Sequence, residues 1–256
     1  SLLVVGVSAS LGSNPLEEGL TAYEAEDYDT AMRLWKPLAE QGNAKAQYNI
    51  GVMYDSGQGV EEDPVKALTW YRRAADQGHA EALFNIGDAH RTGRGVEQNL
   101  PEAVKWYQKA ADLGYPKAQY ALGLLILTGQ GVAKNERTGI EKIRMAAENG
   151  YSEAEYIIGM AYLKGFGGYT KDEAEAIKWF RKAGEKAHPE ALYMLGLMNP
   201  AQGKRKDDPK AFEWISKAAE FGYTQAQYDL GSFYAHGKGV AKNEAEAVKW
   251  LRKAAE

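Results

Sequence analysis

A glycine returns every 36 residues: Gly51, Gly87, Gly123 and Gly159 keep that spacing, and Gly196 and Gly231 continue it after one insertion and one deletion. A fixed period of this length marks a stack of like units, and it constrains the architecture before any single element is considered. Other columns share the frame. Gly57, Gly93, Gly129, Gly165 and Gly237 form one, and Trp70, Trp106, Trp179, Trp214 and Trp250 form another. Alanine pairs follow the tryptophans four residues later, beginning with Ala74-Ala75. The repeats run over about 14–43, 44–79, 80–115, 116–151, 152–188, 189–223 and 224–256, the first of them degenerate.

Within a repeat the apolar residues recur at steps of three and four, the period of a helix rather than of a strand. In the second repeat this predicts helix A over 44–56 and helix B over 64–77. An Asp or Asn precedes every helix B: Asp27, Asp63, Asn99, Asn135, Asp172, Asp207 and Asn243. Such side chains accept from the free N–H groups of a helix start, for about 1 kcal/mol each. Pro64, Pro101 and Pro209 fall in the first turn, where a missing N–H costs little. Gly42, Gly78, Gly114, Gly150 and Gly222 follow helix B and suit a left-handed terminating residue. Small residues at Ala31, Ala67, Ala103, Ala176, Ala211 and Ala247, with the Gly51 column, let helices approach, and the tryptophans fill the space between hairpins. One hairpin cannot cover its own apolar face, so stability must come from stacking. The expected fold is all-α: one elongated, curved solenoid domain over 13–256, of about seven helix-turn-helix repeats of 35–37 residues.

Residues 44–78 read AKAQYNIGVMYDSGQGVEEDPVKALTWYRRAADQG. This unit, and the columns that repeat it, closely resemble the Sel1-like repeat (SLR) family, relatives of the tetratricopeptide repeats. The resemblance covers almost the whole chain. The first repeat, with its shorter interhelical loop, looks more like a tetratricopeptide hairpin. The resemblance implies a right-handed α/α superhelix whose A helices line a concave groove, serving as an adaptor that binds a protein or peptide, often in bacterial envelopes, virulence or signalling. Hydrolytic activity described for cysteine-rich relatives is not carried over, because this chain has no cysteine.

The same absence excludes a disulfide framework and a thiolate zinc site. The net charge of -4 and a pI near 5.7 argue against binding a phosphate backbone, so no nucleic-acid partner is expected. No run of about 18 apolar residues is present, so no transmembrane segment is expected. Residues 1–12 begin with the apolar, uncharged stretch Ser1 to Leu11, and Val7-Ser8-Ala9 fits a signal-peptidase site. They read as the remnant of a secretory signal, which would make the protein exported, periplasmic or secreted. An apolar arm on the first repeat, in a cytoplasmic protein, is the alternative. The seventh repeat stops at Glu256 without its glycine or a polar capping helix, which suggests a chain that continues.

Chemistry is sparse. The recurring Gly-x-Gly-Val loops join two helices and lack a third glycine, so they do not match a dinucleotide fingerprint. His79 and His188 share a column with Tyr115, Tyr151 and Tyr223; His90 and His236 also lack metal-ligand spacing. No catalytic, cofactor or metal site is expected. A helical projection instead places Lys45, Tyr48, Val52 and Asp55 on one stripe of helix A, the stripe the resemblance turns toward the groove. Along the chain it presents an aromatic ladder, Tyr48, Phe84, Tyr120, Tyr156, Tyr193 and Tyr228. Between the rings stand Asp88 and Arg91 in the third repeat, Leu124 and Leu127 in the fourth, Met160 and Leu163 in the fifth. Clustered apolar surface marks interaction sites. The expected partner-binding groove therefore comprises Phe84, Asp88, Arg91, Tyr120, Leu124, Leu127, Tyr156, Met160 and Leu163, taking an apolar or aromatic segment. Packing of the ladder between adjacent A helices is the alternative. Two irregularities add to this: Lys142 replaces a tryptophan, and the sixth loop becomes Asn199 to Lys206 with Pro200 and a basic trio. The functional expectation is a non-enzymatic protein-binding scaffold. Alternatives are a periplasmic scaffold for polysaccharide assembly or a membrane sensor, and a cell-wall-directed hydrolase. The sequence leaves the partner's identity and the oligomeric state open.

Overall fold

The computed structural model describes residues 14–198 and 209–256. The apolar segment 1–12, the irregular loop from Asn199 to Lys206 and the cap expected at Asp207 lie outside the described residues. Fourteen helices and no strand occur among the described residues. They pair in chain order. The first pairs are α1 (Pro15–Glu24) with α2 (Tyr28–Glu40), α3 (Ala44–Ser56) with α4 (Pro64–Ala75), and α5 (Ala80–Thr92) with α6 (Leu100–Asp112). Then follow α7 (Pro116–Thr128) with α8 (Glu136–Glu148), α9 (Ser152–Lys164) with α10 (Glu173–Glu185), α11 (Pro189–Met198) with α12 (Pro209–Glu220), and α13 (Thr224–His236) with α14 (Glu244–Lys253).

The helix boundaries follow the residues that encode them. Asp27, Asp63, Asn99, Asn135, Asp172 and Asn243 each accept from a backbone N–H of the first turn of an even-numbered helix. The terminating glycines Gly42, Gly78, Gly114, Gly150 and Gly222 all have positive φ, between 80° and 97°. In the fifth repeat Ala187 occupies that position with φ 62°.

The chain divides into two compact bodies, the first Ser1–Ala118 with Gln130–Val132, the second Gln119–Gly129 with Ala133–Glu256. In the first, Ala31, Trp35, Ile50 and Met53 belong to one core cluster, and Trp70 packs against it from the following helix. In the second, Ile140, Ile143 and Ile158 are covered by Trp179, and Phe180 and Leu195 by Trp214. A cation three residues on lies over most of these indoles, as Arg73 does over Trp70 at 4.5 Å and Lys182 over Trp179 at 4.0 Å. Where Lys142 replaces the indole, the residue three on is the exposed Met145, so ring and cation are lost together.

Two glycine columns set the spacing. Within a hairpin, a Cβ on Gly51 would lie 2.6 Å from the Tyr71 ring, and one on Gly159 2.6 Å from the Phe180 ring. Between hairpins, the second loop glycine sits on the start of the preceding even-numbered helix. A Cβ on Gly95 (φ 73°) would lie 2.7 Å from the carbonyl carbon of Pro64.

A buried polar column joins the same elements from the other side. The side chain of Gln47 donates to the carbonyl of Ala39 in the preceding repeat at 2.9 Å and accepts from Gln77 in its own repeat at 2.8 Å. Gln227 donates likewise to Ala219 at 3.3 Å. The in-repeat partner changes in kind with the column: Gln119 accepts from Asn149 at 3.1 Å, and Glu155 pairs with Lys186. Where the column holds Leu83 or Leu192, the matching position holds Leu113 or Phe221.

Candidate functional site

The ladder aromatics occupy the expected face of the odd-numbered helices, and five of the six are half-buried. Each of those five meets the aromatic residue that opens the next odd-numbered helix. Tyr48 stacks on His79 with ring centroids 4.6 Å apart, and Tyr156 stacks on His188 at 5.0 Å. Phe84–Tyr115, Tyr120–Tyr151 and Tyr193–Tyr223 pack tilted or edge-on at 5.1–5.5 Å. Three also touch their own even-numbered helix: Tyr48 on Tyr71, Phe84 on Tyr107, Tyr156 on Phe180. Tyr228 is 56% exposed. The rings therefore join hairpins and leave one edge to solvent. Burial raises the phenol pKa of Tyr48, Tyr120 and Tyr156, and carries that of Tyr151, beside Glu153, to about 12.

The residues between the rings answer to the helix opposite them. In the first body, Asp88 accepts from Arg91 at 2.6 Å and from the Tyr107 hydroxyl at 3.1 Å. Asp55 stands 3.4 Å from the Tyr71 hydroxyl and 3.2 Å from the Arg94 guanidinium. Asp55, Tyr71, Asp88 and Arg94 line a small cavity of about 60 Å³. In the second body the tyrosine column becomes Ile143 and Phe180. There Leu124 and Leu127 pack against the Ile140–Ile143 core, while Met160 and Leu163 pack against Phe180. Gly139 stands where the other repeats have alanine. A Cβ there would lie 2.8 Å from the Gly123 carbonyl, so α7 and α8 run very close. The apolar run in the stripe is thus half-buried, and its change from charged to apolar follows the loss of a hydroxyl across the hairpin. That signal was present in the Tyr71, Tyr107, Ile143, Phe180 column, which the helical projection of α3 alone does not include. The structure places Phe84, Asp88 and Arg91 together in the first body, and Tyr120, Leu124, Leu127, Tyr156, Met160 and Leu163 together in the second.

Among the described residues no three His, Asp or Glu side chains gather as metal ligands. No helix among them is long and apolar enough to cross a membrane. The two stacked histidines titrate under opposing influences. Burial lowers the pKa of both; Glu81 opposes it at His79, and Glu190, Glu153 and Glu155 oppose it at His188. With the folded value below the unfolded value of about 6.5, the unfolded chain binds more protons as pH falls. The contribution is complete above about pH 6.5 and is lost as pH drops from there through the folded values. The expected result is a smaller loss of urea midpoint between pH 7.5 and pH 5.0 in the His79→Tyr/His188→Tyr variant than in the parent. Equal losses would refute the assignment.

The chain matches the Sel1 repeat family model seven times, over residues 11–43, 44–79, 80–115, 116–151, 152–188, 189–223 and 224–256. The crystal structure of a Sel1 repeat protein from Oxalobacter formigenes is similar at 34% identity and a TM-score of 0.80, with 95% of this chain and 97% of that one covered. A protective antigen of uropathogenic Escherichia coli with an SLR fold is similar at 27% identity and a TM-score of 0.64, over 94% of this chain and 60% of that one. An immunity protein from Pseudomonas aeruginosa shares the fold at 21% identity and a TM-score of 0.53, over 83% of this chain and 81% of that one.

Proposed function

Because the chain belongs to the Sel1 repeat family, whose members are generally protein–protein interaction scaffolds, we propose that it is a non-catalytic adaptor that binds a protein or peptide along its odd-numbered helices. The observation that carries this reading is the ladder: conjugated rings on successive helices, each held on one side by a neighbour and open at one edge. Aromatic side chains fixed in this way supply contact area at little entropic cost. On the stripe, Asp55 and Asp88 are engaged by arginines and tyrosines, and Asp229 accepts from the hydroxyl of the ladder residue Tyr193 at 3.0 Å. In the second body, Tyr120, Leu124, Leu127, Tyr156, Met160 and Leu163 offer the more apolar stretch.

The test is recovery of a partner from the native compartment by the parent and by Leu124→Ser/Leu127→Ser and Met160→Glu variants that keep the parent's far-ultraviolet circular dichroism. A loss of at least about tenfold in partner binding, the mark of an interface anchor, is the expected outcome. Undiminished binding by variants of unchanged helicity would remove this address.

An exported location, in the bacterial envelope or beyond it, is part of the same proposal. The apolar stretch ending in Val7-Ser8-Ala9 supports it. So does the description of the uropathogenic E. coli relative as a protective antigen. The mass of the mature protein tests it: a chain starting near Ser10 is expected, and a retained apolar stretch would rule out cleavage there.

A further inference from the structure

The first body holds a second, larger concavity, of about 360 Å³, among the starts of α1, α3 and α5. Its origin lies in the ladder. Gly19 in α1 takes the position of Gly51 in α3: a Cβ on it would collide with the Trp35 ring as one on Gly51 would with Tyr71. Counting back three residues from each glycine puts Leu16 where Tyr48 stands in the next repeat. The first rung is therefore aliphatic, and beside it the ladder lacks a ring. Leu16 and Leu20 form one wall of the concavity, and Tyr48 with its stacked His79 the other. Leu20 is 47% exposed. Two carboxylates, Glu17 and Glu81, and one cation, Lys45, stand at the mouth. The Nδ1 of His79 is shielded from solvent and makes no hydrogen bond, although a Glu81 oxygen lies 3.3 Å away.

We propose that this concavity receives an aromatic side chain of a partner peptide, flanked in that peptide by a lysine or arginine. The ring takes the place of the missing rung between Leu16, Leu20 and Tyr48. The neighbouring cation meets Glu17 and Glu81, whose charge Lys45 only half offsets. A volume of this size is at the small end of ligand sites and suits one side chain rather than a whole ligand. The acidic mouth selects against peptides that bring their own carboxylates, since like charges brought together at an interface are costly. This inference rests on the adaptor reading and names a chemistry for one of its contacts.

The experiment pans a random decapeptide library displayed on phage against the full chain. Enriched sequences are expected to share a Phe, Tyr or Trp beside a Lys or Arg. Their affinity is expected to fall at least about tenfold in Leu20→Glu, and Glu81→Lys is expected to reverse the preference for a basic neighbour. Both positions lie on the surface, and the Leu124→Ser/Leu127→Ser variant should bind these peptides as the parent does. Peptides that enrich but are indifferent to Leu20→Glu and Glu81→Lys overturn this proposal and leave the adaptor reading standing. A library in which nothing enriches overturns both. Enrichment that appears only when Leu2, Leu3, Val4 and Val5 are replaced by aspartate identifies the chain's own apolar stretch as the occupant, and likewise overturns it.

Discussion

Replacing Gly95 by alanine is expected to destabilise the protein by roughly 2–5 kcal/mol. Two penalties add. A left-handed conformation costs a residue with a Cβ about 1–2 kcal/mol, and Gly95 has φ 73°. The new Cβ would also lie 2.7 Å from both the carbonyl carbon and the carbonyl oxygen of Pro64, which is backbone at the start of α4 and cannot turn aside. Overpacking of this sort adds about 1–3 kcal/mol. Gly78 provides the control. It has φ 80°, and a Cβ on it would meet nothing within 4 Å. Gly78→Ala should therefore cost only the conformational part, about 1–2 kcal/mol. Urea denaturation of both variants, followed by circular dichroism, separates the two terms. Equal losses would show that the loop does not rest on the preceding hairpin.

Lys186→Met should cost about 3 kcal/mol, at the lower end of what an orphaned buried charge costs. The Glu155 side chain is 3% exposed, and Lys186 is the partner of its Oε1; its Oε2 is buried with no partner at all. The lysine itself is 42% exposed, which moderates the loss. The glutamate sits in a column that elsewhere holds Gln47, Gln119 and Gln227, and the residue eight before it, Ala147, falls in the column of Ala39 and Ala219, whose carbonyls accept from those amides. Glutamine can donate there and a carboxylate cannot. The double replacement Glu155→Gln/Lys186→Gln rebuilds the pair that Gln47 and Gln77 make, and should be at least as stable as the parent. A single Lys186→Met variant that unfolds at the parental urea concentration would show the carboxylate to be satisfied by other means.

What could be read from the sequence was what is local. Caps and stops act within four residues of their own position, so Asp63 and Gly78 announce the ends of α4 whatever surrounds them. The repeat frame then multiplied each local sign several times over, and the pairing of helices followed. The environment of the stripe was another matter. Whether Leu124 faces solvent depends on Ile143 and Gly139, 15–19 residues away on the opposing helix, and on how closely the two helices run. The concavity at the first repeat was hidden for a related reason. The turn between α1 and α2 spans residues 25–27, against 57–63 between α3 and α4. That shortening moves Gly19 and Leu16 out of the 36-residue frame. Only the contact between Gly19 and Trp35 restores the alignment and shows which rung has lost its ring.

The polar column of the odd-numbered helices bears on how such a chain can grow. Toward the preceding repeat, Gln47 and Gln227 bind a main-chain carbonyl, which any sequence supplies. Toward their own repeat the contacts are chosen by side chain: amide with amide in Gln47–Gln77 and Gln119–Asn149, acid with base in Glu155–Lys186. A hairpin copied whole, cut where one repeat ends and the next begins, takes its matched pair along, and in this column asks only for a carbonyl from its new neighbour. A cut inside a hairpin would set Glu155 against an amide or Leu83 against a lysine. As far as this column goes, a join at the seams keeps every matched pair intact, and a join within a hairpin breaks one.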